Sequence, residues 1–171
     1  MKGHGVTRKT DIAYIAGILD GEGYIGVKRM TVRKDAANRS YHARIQVRMV
    51  DEPAIAFLAE TLGGAYYQEK PSATRGRPLY CYSASDASAA AILRTVLPYL
   101  RVKRGAADIV LELRAMQANA AKHRTKVVGY RNFPNKYGTA RQVPNLAYSD
   151  EYIAGCERLW LAAKAFNRVG V

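Results

Sequence analysis

The sequence predicts an α+β fold, with an αββαββα core whose helices cover one face of an antiparallel sheet, followed by C-terminal helices. Three observations predict it. Two pairs of strand-like segments each sit close in sequence and are separated by helical segments, the pattern of hairpins with helices gathered on one side. Residues 41–50, "YHARIQVRMV", alternate strictly, with His42, Arg44, Gln46 and Arg48 on one face and Ala43, Ile45, Val47 and Met49 on the other, as in a half-buried sheet strand. Glycines punctuate the helical segments at Gly21, Gly23, Gly63 and Gly64.

Each element has its own signal. Thr10 or Asp11 is expected to cap a first helix, along which Ile12, Ile15, Ile18 and Leu19 recur at helical spacing. Ala13, Ala16 and Gly17 leave a second stripe of small residues, and Gly21 and Gly23 are expected to end the helix. Residues 24–34 and 41–50 read as strands. Asp51 with Glu52-Pro53 opens a second helix that stops after Leu62 at Gly63-Gly64. Residues 65–70 and 79–84 read as a hairpin around "PSATRGRP". A short helix follows Ser85 and ends before Pro98. A longer one covers about 104–122, with Ile109, Leu111, Leu113 and Met116 for burial.

Three stretches are expected in the domain organisation: a core over residues 1–123, a basic loop or linker over 124–148, and a C-terminal helix over 149–171 packing on the core. The middle stretch is rich in Gly, Pro, Asn and basic residues with few periodic apolar ones. Ser149-Asp150 caps the last helix, whose apolar side is read as Ile153, Cys156, Trp160 and Leu161.

Composition narrows the function classes. The 171 residues, about half of them apolar, suit one domain with a sizeable core. No apolar run reaches the roughly 18 residues of a membrane helix. The N-terminus lacks the apolar stretch of a secretory signal, and Asp11 argues against a transit peptide, so a cytoplasmic (nucleoid-associated) or organellar setting is expected. Cys81 and Cys156 form no CxxC, and His4, His42 and His123 are scattered, which disfavours structural zinc. Lys and Arg number 27 against 14 acids, a net charge of +13 that attracts polyanions. The basic residues are interleaved with strand residues rather than collected in a tail, which favours a nucleic-acid partner over charge kept only for solubility.

Residues 15–23, "IAGILDGEG", hold the carboxylate of Glu22 between two glycines at the end of an apolar helix. This stretch resembles the signature of the LAGLIDADG homing endonucleases. The resemblance extends to the element order, to "LGG" at 62–64 and to "PYLRVKRGAA" at 98–107, and covers about residues 11–120. It implies a site-specific endonuclease that cuts double-stranded DNA by metal-dependent phosphodiester hydrolysis, hosted by an intron or intein. Only one signature occurs, which in this family implies a homodimer reading a pseudo-palindromic site.

The resemblance also implies roles. Two signature helices pack side by side through Ala13, Gly17 and Gly21, with Asp20 bridging backbone at that interface. Glu22 supplies its carboxylate and Gly21 its carbonyl to Mg²⁺, a hard cation suited to oxygen ligands. Lys103 matches the lysine of the family's "PYLxxK" and is expected to stabilise phosphate charge or organise waters. Arg48 or Gln46 occupies the polar accessory position near the metals. Lys28, Met30, Arg44, Gln46 and Arg48 face DNA under the outward register, extended by Arg75 and Arg77 and by Tyr80 or Tyr82. Arg124, Lys126, Arg131 and Lys136 are expected to clamp phosphates. An RNA-binding intron maturase on the same fold, with intron RNA as partner and no DNA cleavage, is the alternative; a DNA-binding regulator with a decayed site is a further one.

Overall fold

In the computed structural model, residues 8–30, 39–70, 76–134 and 140–168 are described. The order is α1 (Lys9–Glu22), β1 (Gly23–Arg29), β2 (Tyr41–Met49), α2 (Glu52–Leu62), β3 (Tyr66–Glu69), β4 (Leu79–Ser85), α3 (Asp86–Val96), α4 (Arg104–Ala118), a 3₁₀ turn at Ala120–His123, β5 (Arg124–Pro134), β6 (Ala140–Tyr148) and α5 (Asp150–Arg168). The expected αββαββα core is present. Its four strands pair antiparallel in the order β1-β2-β4-β3. Among the described residues no helix is long and apolar enough to cross a membrane.

The alternation of β2 holds residue by residue. Ala43, Ile45 and Val47 are fully buried, whereas His42, Arg44, Gln46 and Arg48 lie toward the other face. The buried face meets Ile12, Ile15, Ala16 and Leu19 of α1, Ile55 and Leu58 of α2, Ile92 and Leu93 of α3, and Val110 and Leu113 of α4 in one cluster. Leu19, Ile45, Leu58 and Leu93 are completely shielded, and each contributes about 1.5–3 kcal/mol by leaving water.

α2 starts as its sequence requires. Asp51 Oδ1 accepts the Ala54 N–H at 2.9 Å, and the helix ends into Gly63 (φ +79°) and Gly64 (φ +101°), a left-handed backbone that favours glycine. α1 differs from expectation at both ends. It begins at Lys9, with Arg8 in the cap position and no side-chain cap, so Thr10 and Asp11 fall in its first turn. It also runs through Gly21 to Glu22. Gly23 is extended (φ −80°) and starts β1 directly; a Cβ there would lie 2.7 Å from the Leu19 carbonyl oxygen. Glycine is needed at this position for close approach rather than for a left-handed turn. β1 spans a shorter stretch than 24–34, with residues 31–34 outside the described residues.

The chain beyond α3 needs three corrections. Residues 124–148 are not a loop: β5 and β6 form a separate antiparallel ribbon, with register shifts between Arg124 and Lys126 and between Val127 and Gly129. Neither face of most of this ribbon packs on the core, so no apolar period marks it. In α4 the deeply buried side is Ala106, Ala107, Val110 and Leu113, with Ile109, Leu111 and Met116 partly buried around it. In α5 it is Tyr152, Cys156, Leu159 and Ala163; Ile153 and Trp160 border this face and Leu161 is exposed.

α5 is fixed to the edge strand β1 by a polar staple. Glu157 accepts from Arg29 Nη1 at 2.6 Å and from the Tyr41 hydroxyl, and the Arg29 guanidinium lies 3.8 Å from the Trp160 ring centre. The Tyr41 hydrogen bond and, with it, Arg29 hold the Glu157 carboxyl below its ordinary value of 4.5 against the opposing effect of burial. Burial, followed by the bond to Glu157, pushes Tyr41 up to about 12, so it stays a neutral donor. A depressed carboxylate adds stability above its unfolded pKa and loses it as pH falls through the folded value. Glu157→Gln is therefore expected to cost about 1–2 kcal/mol at pH 7. Urea titrations of both proteins should show that difference shrinking as pH drops below about 4.5.

Candidate nuclease site and nucleic-acid interface

Glu22 is exposed at the C-terminal tip of α1, where the helix dipole adds partial negative charge. The tip is locked to the start of α4. Asp20 accepts the backbone N–H of Arg101 (Oδ2, 2.8 Å) and of Lys103 (Oδ1, 2.8 Å). The Lys103 ammonium donates to the carbonyls of Leu19 (3.0 Å) and Gly21 (3.3 Å). Both carbonyls belong to the last turn of α1; that of Leu19 also accepts the Gly23 N–H. Lys103 is buried, and desolvation lowers its pKa, with the charges of Asp20 and Glu22 opposing the shift. Asp20, expected to bridge backbone where two helices meet, uses both oxygens on backbone of its own chain.

This tip has the donor chemistry for a divalent cation but not a complete set. Glu22 offers a carboxylate and Gly21 a carbonyl, both hard oxygens. Among the described residues no group of three or more His, Cys, Asp and Glu side chains could hold a metal alone. The Gly21 oxygen also accepts from the Lys103 ammonium.

Ala13, Gly17 and Gly21 are all exposed on one side of α1, together with Tyr14. A Cβ built at Gly17 or Gly21 meets nothing within 4 Å. This face of α1 is therefore open, and it leads straight to Glu22.

The polar sheet face lies beside the tip. Gly23 pairs with Val47, which puts Glu22 level with Arg48. From there to Tyr41 the strand runs about 23 Å. Lys28, Arg44 and Gln46 share a cavity of about 360 Å³ with Tyr24 and Trp160. Met30 follows on the same side of β1 and is exposed. Arg48 and Gln46 bond to partners other than Glu22. Arg48 forms a fork with Glu69 (2.6–2.8 Å), Gln46 donates to Cys81 Sγ at 3.1 Å, and among the described residues neither is hydrogen-bonded to Glu22. On the helix side of β2 that level is taken by Met49, partly buried against the core.

Arg77 is exposed near the second hairpin's turn, and Arg75 lies outside the described residues. Tyr80 and Tyr82 do not extend the polar face, because pairing with Met49 and Val47 turns them to the helix side. Tyr82 is buried and donates to the Gly63 carbonyl at 3.0 Å. The aromatic residues on the polar face are instead Tyr24 and Tyr67, both exposed. Tyr24 was legible from the parity of Lys28; Tyr67 depended on the pairing of β3 with Cys81.

The chain is thus an α+β protein with a four-stranded antiparallel sheet, helices on one face, a polar basic surface on the other and an open glycine-bearing helix that ends in a carboxylate. The specific fold is that of the LAGLIDADG homing endonucleases. The chain is similar to the homing endonuclease I-CvuI in complex with DNA in the presence of Mg (TM-score 0.63, 17% identity, 92% of this chain and 82% of that one). It is similar to the archaeal intron-encoded homing endonuclease I-Vdi141I complexed with DNA (TM-score 0.55, 14% identity, 89% and 98%). It is also similar to the LAGLIDADG homing endonuclease I-SmaMI bound to cleaved DNA (TM-score 0.53, 20% identity), where it spans 70% of this chain but 41% of that one. No family model matches the sequence, and no curated protein matches it.

Proposed function

We propose that the chain is one subunit of a homodimeric, divalent-metal-dependent, site-specific DNA endonuclease acting in a DNA-bearing compartment, cytoplasmic or organellar, and hosted by an intron or intein. The observation that carries this reading is the tip of α1. An exposed Glu22 carboxylate and the Gly21 carbonyl sit at the end of an open small-residue helix face, beside a basic sheet. Two such helices side by side would bring two Glu22 carboxylates together. That juxtaposition is unfavourable for two anions and suits a shared cation, Mg²⁺ by the hardness of its oxygens.

The residues divide the work. Glu22 and Gly21 would hold the cation, which when bound lowers the pKa of water and neutralises charge on the leaving oxygen. Lys103 and Asp20 fix the backbone of the tip, and with it the Gly21 carbonyl. An ammonium has three donors, so Lys103 retains one beyond Leu19 and Gly21 for a phosphate oxygen or water. Lys28, Arg44 and Gln46, with Tyr24, form the base-facing surface, as a β-ribbon fits the major groove. Arg48 reaches DNA only by leaving Glu69, so its role is recognition or support rather than chemistry at Glu22.

The test is selection of cut products from a randomised duplex library in Mg²⁺. Both strands of a pseudo-palindromic site should be cut. Affinity for the recovered site should fall steeply with salt, with a log–log slope of about −9 if the dimer neutralises on the order of ten phosphates. A flat salt response would remove the reading of the +13 charge as a DNA footprint. Tight binding of intron RNA with no scission of any duplex would establish the maturase instead.

A further inference from the structure

We propose that the β5–β6 ribbon is a second DNA-reading element, which lies along a groove of the duplex outside the stretch covered by the four-stranded sheet. The inference rests on the DNA-binding reading above and extends it.

Residues 124–148 contain no Asp or Glu; the strands carry Arg124, Lys126, Arg131 and Arg141, and Lys136 lies outside the described residues. The ribbon is a sheet of two strands only. An isolated hairpin of this kind is marginal in water unless something covers it. Its exposed apolar side chains are large: Val127 is 51% exposed, Tyr130 66% and Leu146 40%. The pairing puts them on one face. Val127 stands opposite Leu146, Tyr130 opposite Pro144, and Asn132 opposite Gln142. This face therefore offers an amide pair beside apolar groups, the chemistry that reads adenine edges and thymine methyls. The other face carries Arg131, whose guanidinium donates to Asn145 at 2.7 Å, and by parity Arg141. Long cationic side chains there can reach the phosphates along a groove wall.

The root of the ribbon fixes where it works. Lys126 pairs with Asp150 at 2.9 Å, and the Ser149 N–H donates to the His123 carbonyl at 2.7 Å. Arg124 and Tyr148 line a cavity of about 530 Å³ with Arg39, Tyr41, His42 and Arg114, the last two paired there with Asp86 at 2.8 and 3.6 Å. That cavity is at the end of β2 remote from Glu22. A ribbon rooted there continues the basic surface outward, away from the cleavage point. A second copy of a chain of charge +13 is a poor occupant for so basic a ribbon; a duplex is complementary in charge and in groove width.

The experiment uses the full chain and the duplex recovered by the selection above. One form carries about 10 base pairs of flank on each side, the span of a ~35 Å ribbon, and the other is trimmed of them. Wild type is expected to bind the flanked duplex at least about tenfold more tightly and to shield the flank from hydroxyl radicals. Asn132→Ala/Gln142→Ala should lose base preference in the flank and most of that gain, while cutting at the wild-type rate at saturating protein. Arg131→Gln/Arg141→Gln should weaken all flanks alike and lower the salt slope by about one per phosphate contact removed. If both double variants match wild type on the flanked duplex, the inference is overturned. It is equally overturned if they lose RNA binding and keep the flanked-duplex affinity. If wild type binds no duplex at all, the DNA-binding reading itself fails and the ribbon proposal falls with it.

Discussion

Glu22→Gln is expected to bind the target duplex with wild-type affinity and to leave it uncut. The amide keeps the shape of the side chain and removes the charge that would hold a cation. Such cations stabilise transition-state charge by several kcal/mol, so strand scission at saturating protein should slow by on the order of a thousandfold or more. The fold should not suffer, because Glu22 is exposed and lies beyond the Asp20–Lys103 lock. In the proposed dimer, removing the mutual repulsion of two carboxylates should leave association no weaker, and stronger in EDTA. The measurement is scission of a pre-bound target in Mg²⁺ with Ca²⁺ in parallel. Wild-type cutting by the variant would move the chemistry away from the tip of α1 and reduce Glu22 to a polar helix end.

The parts of the fold that were legible in the sequence have one face in water and one in the core. β2 reads cleanly because Ala43, Ile45 and Val47 are buried inward and each outward residue is polar. α2 reads cleanly because Asp51, Pro53 and the Gly63-Gly64 pair act locally. The ribbon was missed for the opposite reason. With neither face buried over most of its length, and with two register shifts, it has no period to read, and its Gly, Pro and Asn residues look like a loop. In α4, alanines take the deepest positions because the neighbouring helix comes close: a Cβ at Gly155 of α5 would already meet Met116 Cε at 2.7 Å. A search for large apolar residues passes over such positions.

At the site, sequence placed Glu22 and Lys103 but not the relation between them. Lys103 reaches the Leu19 and Gly21 carbonyls from more than eighty residues away, and Asp20 receives two N–H groups of the same distant segment. No local pattern encodes such contacts. The aromatic residues of the polar face were confused for a related reason. A tyrosine suits either side of a sheet, so Tyr24, Tyr67, Tyr80 and Tyr82 could be sorted only by cross-strand pairing. Arg48 was placed correctly along the strand, yet its fork with Glu69 depended on a third strand.

Gly17→Leu is expected to separate the subunits of the proposed dimer while leaving each one folded. In the single chain a Cβ at position 17 meets nothing within 4 Å, and the residue sits mid-helix on an exposed face. Replacing glycine there should stabilise the isolated helix by up to about 1 kcal/mol, since leucine is the better helix former. A two-fold dimer carries the substitution twice, where two backbones are proposed to approach through Ala13, Gly17 and Gly21. Overpacking costs about 1–3 kcal/mol per site, so about 2–6 kcal/mol for the pair, which weakens association by roughly 30-fold to 10⁴-fold. Light scattering at micromolar concentration should give twice the 18.9 kDa chain mass for wild type and the single mass for the variant. Thermal unfolding of the variant under those conditions should still be cooperative, which separates loss of the partner from loss of the fold. The variant should also cut neither strand of the target efficiently, because one subunit brings one Glu22. A variant that stays dimeric would place the subunit contact on another surface, and a monomeric wild type that remained monomeric on its target would end the inference from a single signature to a paired enzyme.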